Sequence, residues 1–460
     1  MNRSRVLLIT SICLGLAVMA TSPVPGSAQT ARPNLLLVTF DTTRADRLTP
    51  YGYSSARMPA LERLAREGTL FTHCYAPAVQ TLPSHAAMLT GLYPITSNVV
   101  SNGQRLDSDV LTLAELLHAD GYRTGAIVAT APLMEVFGLS QGFETYDDEF
   151  EESVLLRAGK SLLRLFSSNR WNVRTTRPAH RVAALARAWL KESARRGRPF
   201  FLWLHFIEPH HPYVRHPDFA RPATVATDGP VSPHGVREGN YVNEIEFADH
   251  YLGTVLQQLD TLGLTNRTLT VFTSDHGESL GEQGYTGHRE EVYERIIRVP
   301  LIMRMPGAVP AGKRLDTPSQ LVDVTPTILP RLGISLKGAP FQGRDLFSLP
   351  PDEPRQLFAV AAKLFTREPI RIAMIDGARK LVVWPESGRQ ALYDIDADPH
   401  ERRNLLASGG DGQGATEDEI PRLAAELDAW WRTNDRLHPD DFTLDAEHLE
   451  RLRSLGYIRR

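Results

Sequence analysis

The chain has 460 residues, 42% of them hydrophobic, with 51 Lys plus Arg against 54 Asp plus Glu and a formal net charge of −3. Near-balanced charge excludes a strongly basic nucleic-acid scaffold, and the apolar share is that of an ordinary globular protein. This length also exceeds what one hydrophobic core usually covers.

In chain order, Arg3 and Arg5 precede an apolar run from Val6 to Met19 and the small residues Gly26-Ser-Ala28. That is the pattern of a cleaved secretory signal peptide over residues 1–28. Its core is too short to span a bilayer, which takes roughly 20 apolar residues. A periplasmic or secreted location is expected, with no transmembrane domain beyond the signal. Cys13 falls inside it, so Cys74 is the mature chain's only thiol and no intramolecular disulfide is expected.

Asn34–Phe40, bounded by Pro33 and Asp41, reads as a buried parallel strand. It leads into Asp41-Thr-Thr-Arg-Ala-Asp46, where Arg44 and Asp46 are placed to pair with each other. Met58–Glu67 reads as a helix, and Phe71–Tyr75 as a strand that buries Cys74. In Thr81-Leu-Pro-Ser-His-Ala-Ala-Met-Leu-Thr-Gly91, hydroxyls and a proline precede a helix expected over Ala86–Leu89. A hydroxyl at the positive end of a helix is placed to attack an anionic ester, although the same pattern also serves as a cap. Asn102, in Ser101-Asn-Gly103, suits a turn, with a place in the pocket lining as the alternative.

Glu149–Arg177 is an irregular insertion that could rim a pocket, Ala179–Arg196 a helix, and Phe200–Leu204 another buried strand. The strand leads to His205-Phe-Ile-Glu-Pro-His-His-Pro-Tyr213, in which His205 and His211 are expected to be structural. Val214–Gly239 lacks periodicity and reads as a loop over the pocket, followed by a helix at Asn240–Leu262. Thr268–Thr273 is a further buried strand, running into Ser274-Asp-His-Gly-Glu278. From about residue 350 the pattern changes to short antiparallel strands: Leu357–Ala362, Arg371–Ile375, Lys380–Trp384 and Ala391–Ile395. A link at Ser408–Gly414, a helix at Glu417–Asn434 and a tail at Arg451–Tyr457 complete the chain. The expected organisation is a signal over 1–28, a catalytic domain over 29–345 and a C-terminal α+β part over 346–460.

Ligands of open α/β sheets gather beyond the carboxyl ends of strands. Two such ends supply Asp41, Asp275 and His276. With Thr81 they make a four-ligand site for one divalent cation, which would lower the hydroxyl's pKa. A mixed oxygen and imidazole set suits zinc or manganese.

On these motifs the chain resembles the sulfatase family of the alkaline phosphatase superfamily. Thr81–Gly91 matches the family's C/S-x-P-S-R-x-x-x-L-T-G with two departures, and Leu35–Asp46 matches its strand and acidic turn. Ser274–Glu278 with Gly281–His288, Tyr293-Glu294 with Arg298–Gly307, and Ala391–Glu401 with Asn404-Leu405 match later motifs. The resemblance implies an α/β, alkaline-phosphatase-like fold: a mixed, mostly parallel sheet sandwiched by helices, with a smaller C-terminal antiparallel sheet plus helix. It also implies His85, His210 and His288 as catalytic residues beside Thr81. His85 stands where the family has arginine, His210 lies in a P-H-x-P-Y motif, and His288 matches a basic position. Calcium stays open as the metal, as does a second metal near Glu208, His210 and His288.

The departures bear on chemistry. Sulfatases convert a cysteine or serine to formylglycine, an aldehyde that Thr81 cannot form because its Cβ carries a methyl. Thr42 replaces the second of two adjacent aspartates. Both features are similar to phosphonate monoester hydrolases and phosphoethanolamine transferases. The expected function is a metal-dependent hydrolase acting on an anionic ester partner, a phosphate, phosphonate or sulfate ester, with Thr81 as metal-activated nucleophile. Phosphodiester or phosphonate cleavage is preferred. A true sulfuric ester hydrolase, a phosphotransferase and a silent anion-binding protein are the alternatives.

Overall fold

The computed structural model describes residues 32–149, 176–219, 238–350, 353–407, 418–438 and 448. The expected signal segment, nearly all of the 149–177 insertion, most of the 214–239 loop, the 408–414 link and the 451–457 tail lie outside the described residues.

β1 (Asn34–Phe40) is buried along its whole length. It sits inside a nine-stranded sheet, paired in parallel with β5 (Phe200–Phe206) on one side and β6 (Thr268–Ser274) on the other. A strand covered on both faces reads as a continuous apolar run, which is why Leu35 to Val38 carries no polar residue. Beyond β5 lie β3 (Arg123–Ile127) and β4 (Thr145–Asp147), again parallel. Beyond β6, β9 (Arg298–Arg304) runs antiparallel to both β6 and β2 (Thr69–Tyr75). β10 (Lys313–Leu315) and β11 (Ser319–Gln320) pair in parallel with β2. β7 (Ser279–Leu280) and β8 (Thr286–Gly287) form a separate two-stranded hairpin.

Period-two alternation divides the core between two faces. Leu35, Leu37, Phe201 and Trp203 pack with α2 (Thr81–Thr90), α3 (Leu113–Ala119) and α7 (Val324–Arg331). Leu36, Val38, Phe40 and Leu202 pack with α1 (Pro59–Glu67), α4 (Ala179–Arg196) and α5 (Glu238–Thr261). Each buried Leu or Phe contributes roughly 1.5–3 kcal/mol, so the pattern that selects the faces also supplies most of the adhesion. The expected α/β fold is the observed one, and α4 coincides with its expected span. The boundary that differs most is the start of α2, at Thr81, ahead of the expected Ala86. Pro83 sits within its first turn, where a missing N–H costs nothing because those donors have no intrahelical acceptor.

A second sheet follows, antiparallel in the order β12 (Gln356–Ala362), β13 (Pro369–Asp376), β14 (Arg379–Trp384), β15 (Arg389–Asp394). One face packs on α8 (Glu419–Asn434), with Phe358 stacked on Trp430 at 4.0 Å. The other packs on Tyr75, Val79 and on Ile296 of α6 (Glu294–Ile297). β12 also bridges Ala78, and the Val360 amide donates to the Pro77 carbonyl at 2.9 Å. Among the described residues no helix is long and apolar enough to cross a membrane. Cys74 is a free buried thiol on β2, pushed up to about 12 by burial.

Candidate active site

Because β1 and β6 are parallel neighbours, their carboxyl ends deliver Asp41 and Asp275-His276 side by side. The Asp41 amide donates to the Phe206 carbonyl at 2.9 Å, tying the turn to β5 as well. Thr42 is held at φ 54°, a left-handed conformation uncommon outside glycine. Its amide donates to Asp275 Oδ1 at 3.1 Å, and its carbonyl accepts from the Tyr241 hydroxyl at 2.6 Å. The Thr43 amide donates to Ser274 Oγ at 2.8 Å. At Gly277 a methyl would collide with the Arg295 carbonyl, so the turn after His276 requires glycine. Arg44 pairs with Asp46 as expected: Nε reaches Oδ1 at 2.9 Å and Nη2 reaches Oδ2 at 2.8 Å. Nη1 continues to Glu282 at 2.6 Å, which commits this guanidinium to the turn.

Asp41, Asp275 and His276, all buried, each offer a ligand atom within 4.8 Å of the others'. The His276 Nδ1–H donates to the Gly277 carbonyl at 3.0 Å, so Nε2 presents a lone pair. Asp275 Oδ1 accepts from two backbone amides, at 3.1 and 2.8 Å, and this aims Oδ2 away from them. Asp41 Oδ1 and Oδ2, Asp275 Oδ2, His276 Nε2 and Thr81 Oγ1 are buried without a hydrogen-bond partner. Each such atom costs about 1–3 kcal/mol, so together they would offset much of the roughly 5–15 kcal/mol that keeps a domain folded. A divalent cation fits this donor set and removes the cost. Burial and the neighbouring Asp275 push Asp41 well above the carboxylate range; Asp275, although buried too, is held below it by His276.

Thr81 joins from α2. Its carbonyl lies 2.8 Å from His85 Nδ1, and Asp275 Oδ2 lies 3.9 Å from the same nitrogen. His85 itself is turned inward: Nε2 meets Thr39 Oγ1 at 3.2 Å beneath the site. That corrects the expectation of a catalytic His85, since both ring nitrogens are engaged with the framework. Burial pushes it down to about 3, so it is neutral.

His288 stacks on His276 at 4.2 Å, and its Nδ1–H donates to the Val79 carbonyl at 2.9 Å. His210 lies 5.7 Å from His288, ring to ring, with Nδ1–H donating to the His211 carbonyl at 2.7 Å. Burial lowers both, His210 to about 4. In these neutral tautomers each Nε2 is an acceptor rather than a donor. Glu208 does not join them. Its Oε1 accepts from the Ala179 amide at the start of α4, at 2.9 Å, and burial with Glu244 pushes it up to about 8. The set Glu208, His210, His288 therefore does not assemble as a second metal site among the described residues.

Asn102 lies in the turn expected for it and is also buried against the start of α2: Oδ1 accepts from the Leu82 amide at 2.8 Å and Nδ2 has no hydrogen-bond partner. His205, expected to be structural, is fully buried with both nitrogens unpartnered and Nε2 3.5 Å from Asp41 Oδ2. His211, also expected to be structural, lies at the exposed rim against Tyr213.

A family model described as Sulfatase matches residues 33–334, well over half of the chain. Mouse steryl-sulfatase is 28% identical over 76% of this chain and 70% of its own, and human arylsulfatase A 28% identical over 88% and 90%. Among solved structures, the phosphonate monoester hydrolase of Agrobacterium radiobacter superposes with a TM-score of 0.67 at 22% identity, covering 87% of this chain and 96% of that one. A match of that extent, laid over a sheet whose adjacent strand ends carry the acidic turn and the Asp-His-Gly turn, makes this chain a member of the sulfatase family, within the alkaline-phosphatase-like superfamily.

Proposed function

We propose that the protein is a metal-dependent hydrolase of sulfate/phosphate-type esters with Thr81 as its nucleophile, cleaving phosphodiesters or phosphonate esters in preference to sulfate esters. The observation that carries this reading is the buried, unpartnered Thr81 hydroxyl at the first residue of α2, whose carbonyl is joined through the His85 ring to the neighbourhood of Asp275 Oδ2. A divalent cation there, zinc or manganese by donor type, would lower the hydroxyl's pKa and shield the oxygens of the transferring group.

Thr81 Oγ1 bonds to phosphorus as the ester oxygen leaves with its bonding pair. The hydroxyl proton passes to an imidazole and on to the leaving oxygen. Water then attacks phosphorus, the bond to Oγ1 breaks, and Thr81 regains its proton. His210 and His288 suit these transfers because each ring, with its hydrogen on Nδ1, carries a basic lone pair on Nε2. The unpartnered Asn102 amide suits a non-bridging oxygen.

Preference for phosphorus rests on the threonine methyl. A formylglycine hydrate can expel sulfate by breaking its own C–O bond; a threonine ester has no second hydroxyl and needs attack by water at the transferred group, a step that phosphoryl centres take in line. The likeness to a phosphonate monoester hydrolase supports the same ranking. The signal-like segment over residues 1–28 supports export.

The test is metal analysis of the purified protein with chromogenic phosphate, phosphodiester, phosphonate and sulfate esters. Diester or phosphonate turnover should exceed sulfate turnover, and Thr81→Ala should lower it by about 10⁴-fold or more with the fold intact. A strong sulfate preference would reverse the ranking, and absence of both turnover and metal would favour a silent anion binder.

A further inference from the structure

We infer that Trp203, Thr39 and His85 form a directed chain of hydrogen bonds that positions Thr81, with His85 a positioning residue that donates through Nδ1 and accepts through Nε2. The inference rests on Thr81 being the nucleophile.

The proton assignments follow from the partners. The Thr81 carbonyl can only accept, so His85 Nδ1, 2.8 Å away, carries the hydrogen. The neutral ring then has a lone pair on Nε2, which accepts from the Thr39 hydroxyl at 3.2 Å. The Thr39 oxygen in turn accepts from Trp203 Nε1–H, also at 3.2 Å, a group that can only donate. Thr39 has one proton and a rival acceptor, the Leu204 carbonyl, but that lies at 3.5 Å, at the edge of bonding distance. Asp275 Oδ2, 3.9 Å from Nδ1, is too far to compete with the carbonyl. Trp203, Thr39 and His85 are each 0% exposed, so no water stands in for a missing member.

The path links three elements of the site. Trp203 is on β5, Thr39 on β1 two residues before Asp41, and His85 on α2 one turn after Thr81. It therefore fixes the helix that carries the hydroxyl against the strand that delivers the first carboxylate. An aliphatic residue at position 85 would fill space yet leave the buried Thr39 hydroxyl with only the Leu204 carbonyl at 3.5 Å as acceptor. Positioning of this kind acts on the rate of the bound complex, because small displacements of a reacting atom lower kcat with little effect on substrate affinity.

The experiment uses the mature chain loaded with zinc and labelled with ¹⁵N-histidine. At neutral pH the His85 signals should show hydrogen on Nδ1 and an acceptor Nε2. Thr39→Val should move the Nε2 signal and lower kcat by roughly 10–100-fold, with KM and zinc content little changed. Trp203→Phe serves the same purpose if Thr39→Val does not fold. His85→Asn, which keeps a donor toward Thr81, should retain more kcat than His85→Ala. A proton on Nε2, a doubly protonated ring, or an unaltered kcat in both Thr39→Val and Trp203→Phe would overturn the inference. Thr81→Ala separates the two readings: it leaves the His85 tautomer in place, so retained turnover in that variant would sink the nucleophile and not the chain.

Discussion

Two groups of buried charge differ in whether the protein completes them. Lys380 Nζ, 0% exposed on β14, lies 2.7 Å from Glu401 and 3.2 Å from Glu294, and the second Glu401 oxygen accepts from the Glu294 amide at 2.7 Å. Every charge there has a protein partner, and the cluster joins the second sheet to the segment before β9. Around Asp41 and Asp275 the same degree of burial comes with no Lys or Arg partner among the described residues. The nearby Arg44 is consumed by Asp46 and Glu282. His85 and His205 are pushed down to about 3 and about 4 by burial, so neither supplies a positive charge. Complete pairing marks scaffold; incomplete pairing marks a place shaped for something that arrives from outside.

The contrast can be broken experimentally. Asp275→Asn has the largest expected effect: bound metal should be lost, and turnover should fall by more than the roughly 10–100-fold that outer-shell changes produce. In chelator the same variant should melt at or above the parent, because a fully buried carboxylate charge has gone; a lower melting point there would mean that Asp275 is a framework residue like Lys380. Next is Lys380→Ala, which strands two buried carboxylates and should cost about 3–5 kcal/mol in urea unfolding. The metal content and kcat of the folded fraction should be unchanged, and a drop in metal content would merge the two clusters into one.

Glu208→Gln sharpens the comparison by a smaller amount. Burial and Glu244 raise this carboxyl from 4.5 to about 8. Between those values the folded state holds a proton that the unfolded chain has released. The associated stability is therefore fully present below pH 4.5 and is lost as pH rises through about 8. Glutamine keeps an acceptor for the Ala179 amide without ionising. Its advantage over the parent should grow between pH 5 and 8.5, by a few kcal/mol at most, as read from urea midpoints. A pH-independent difference would contradict the assignment.

The layered architecture was legible because continuous apolar runs followed by acidic turns specify buried parallel strands and their ends. Helix α4 was legible to the residue, since its apolar positions recur at helical spacing between Pro178 and Gly197. The start of α2 was not, because a proline that stops a helix in its middle is harmless in the first turn. Helix α3 escaped notice although Thr112 and Glu115 form a capping box in front of it. At the site, the convergence of Asp41, Asp275 and His276 follows from strand order alone. The turn at Asn102 was legible, but its contact with the α2 amides and the seat of His205 opposite Thr39 on β1 were not, since those partners are remote in the chain. Glu208 misled for the complementary reason, lying among histidines in the chain while its carboxylate turns to a helix start.

The ladder contact between Val360 and the Pro77–Ala78 segment, together with the Gln80 amide donating to Ala362 at 2.8 Å, means that the last third of the polypeptide grips the residues leading into Thr81. Shortening the gene ahead of β12 would free that approach strand and expose Val79 and Ile296 at once. The second sheet is therefore part of the support for Thr81 and cannot be exchanged independently of it.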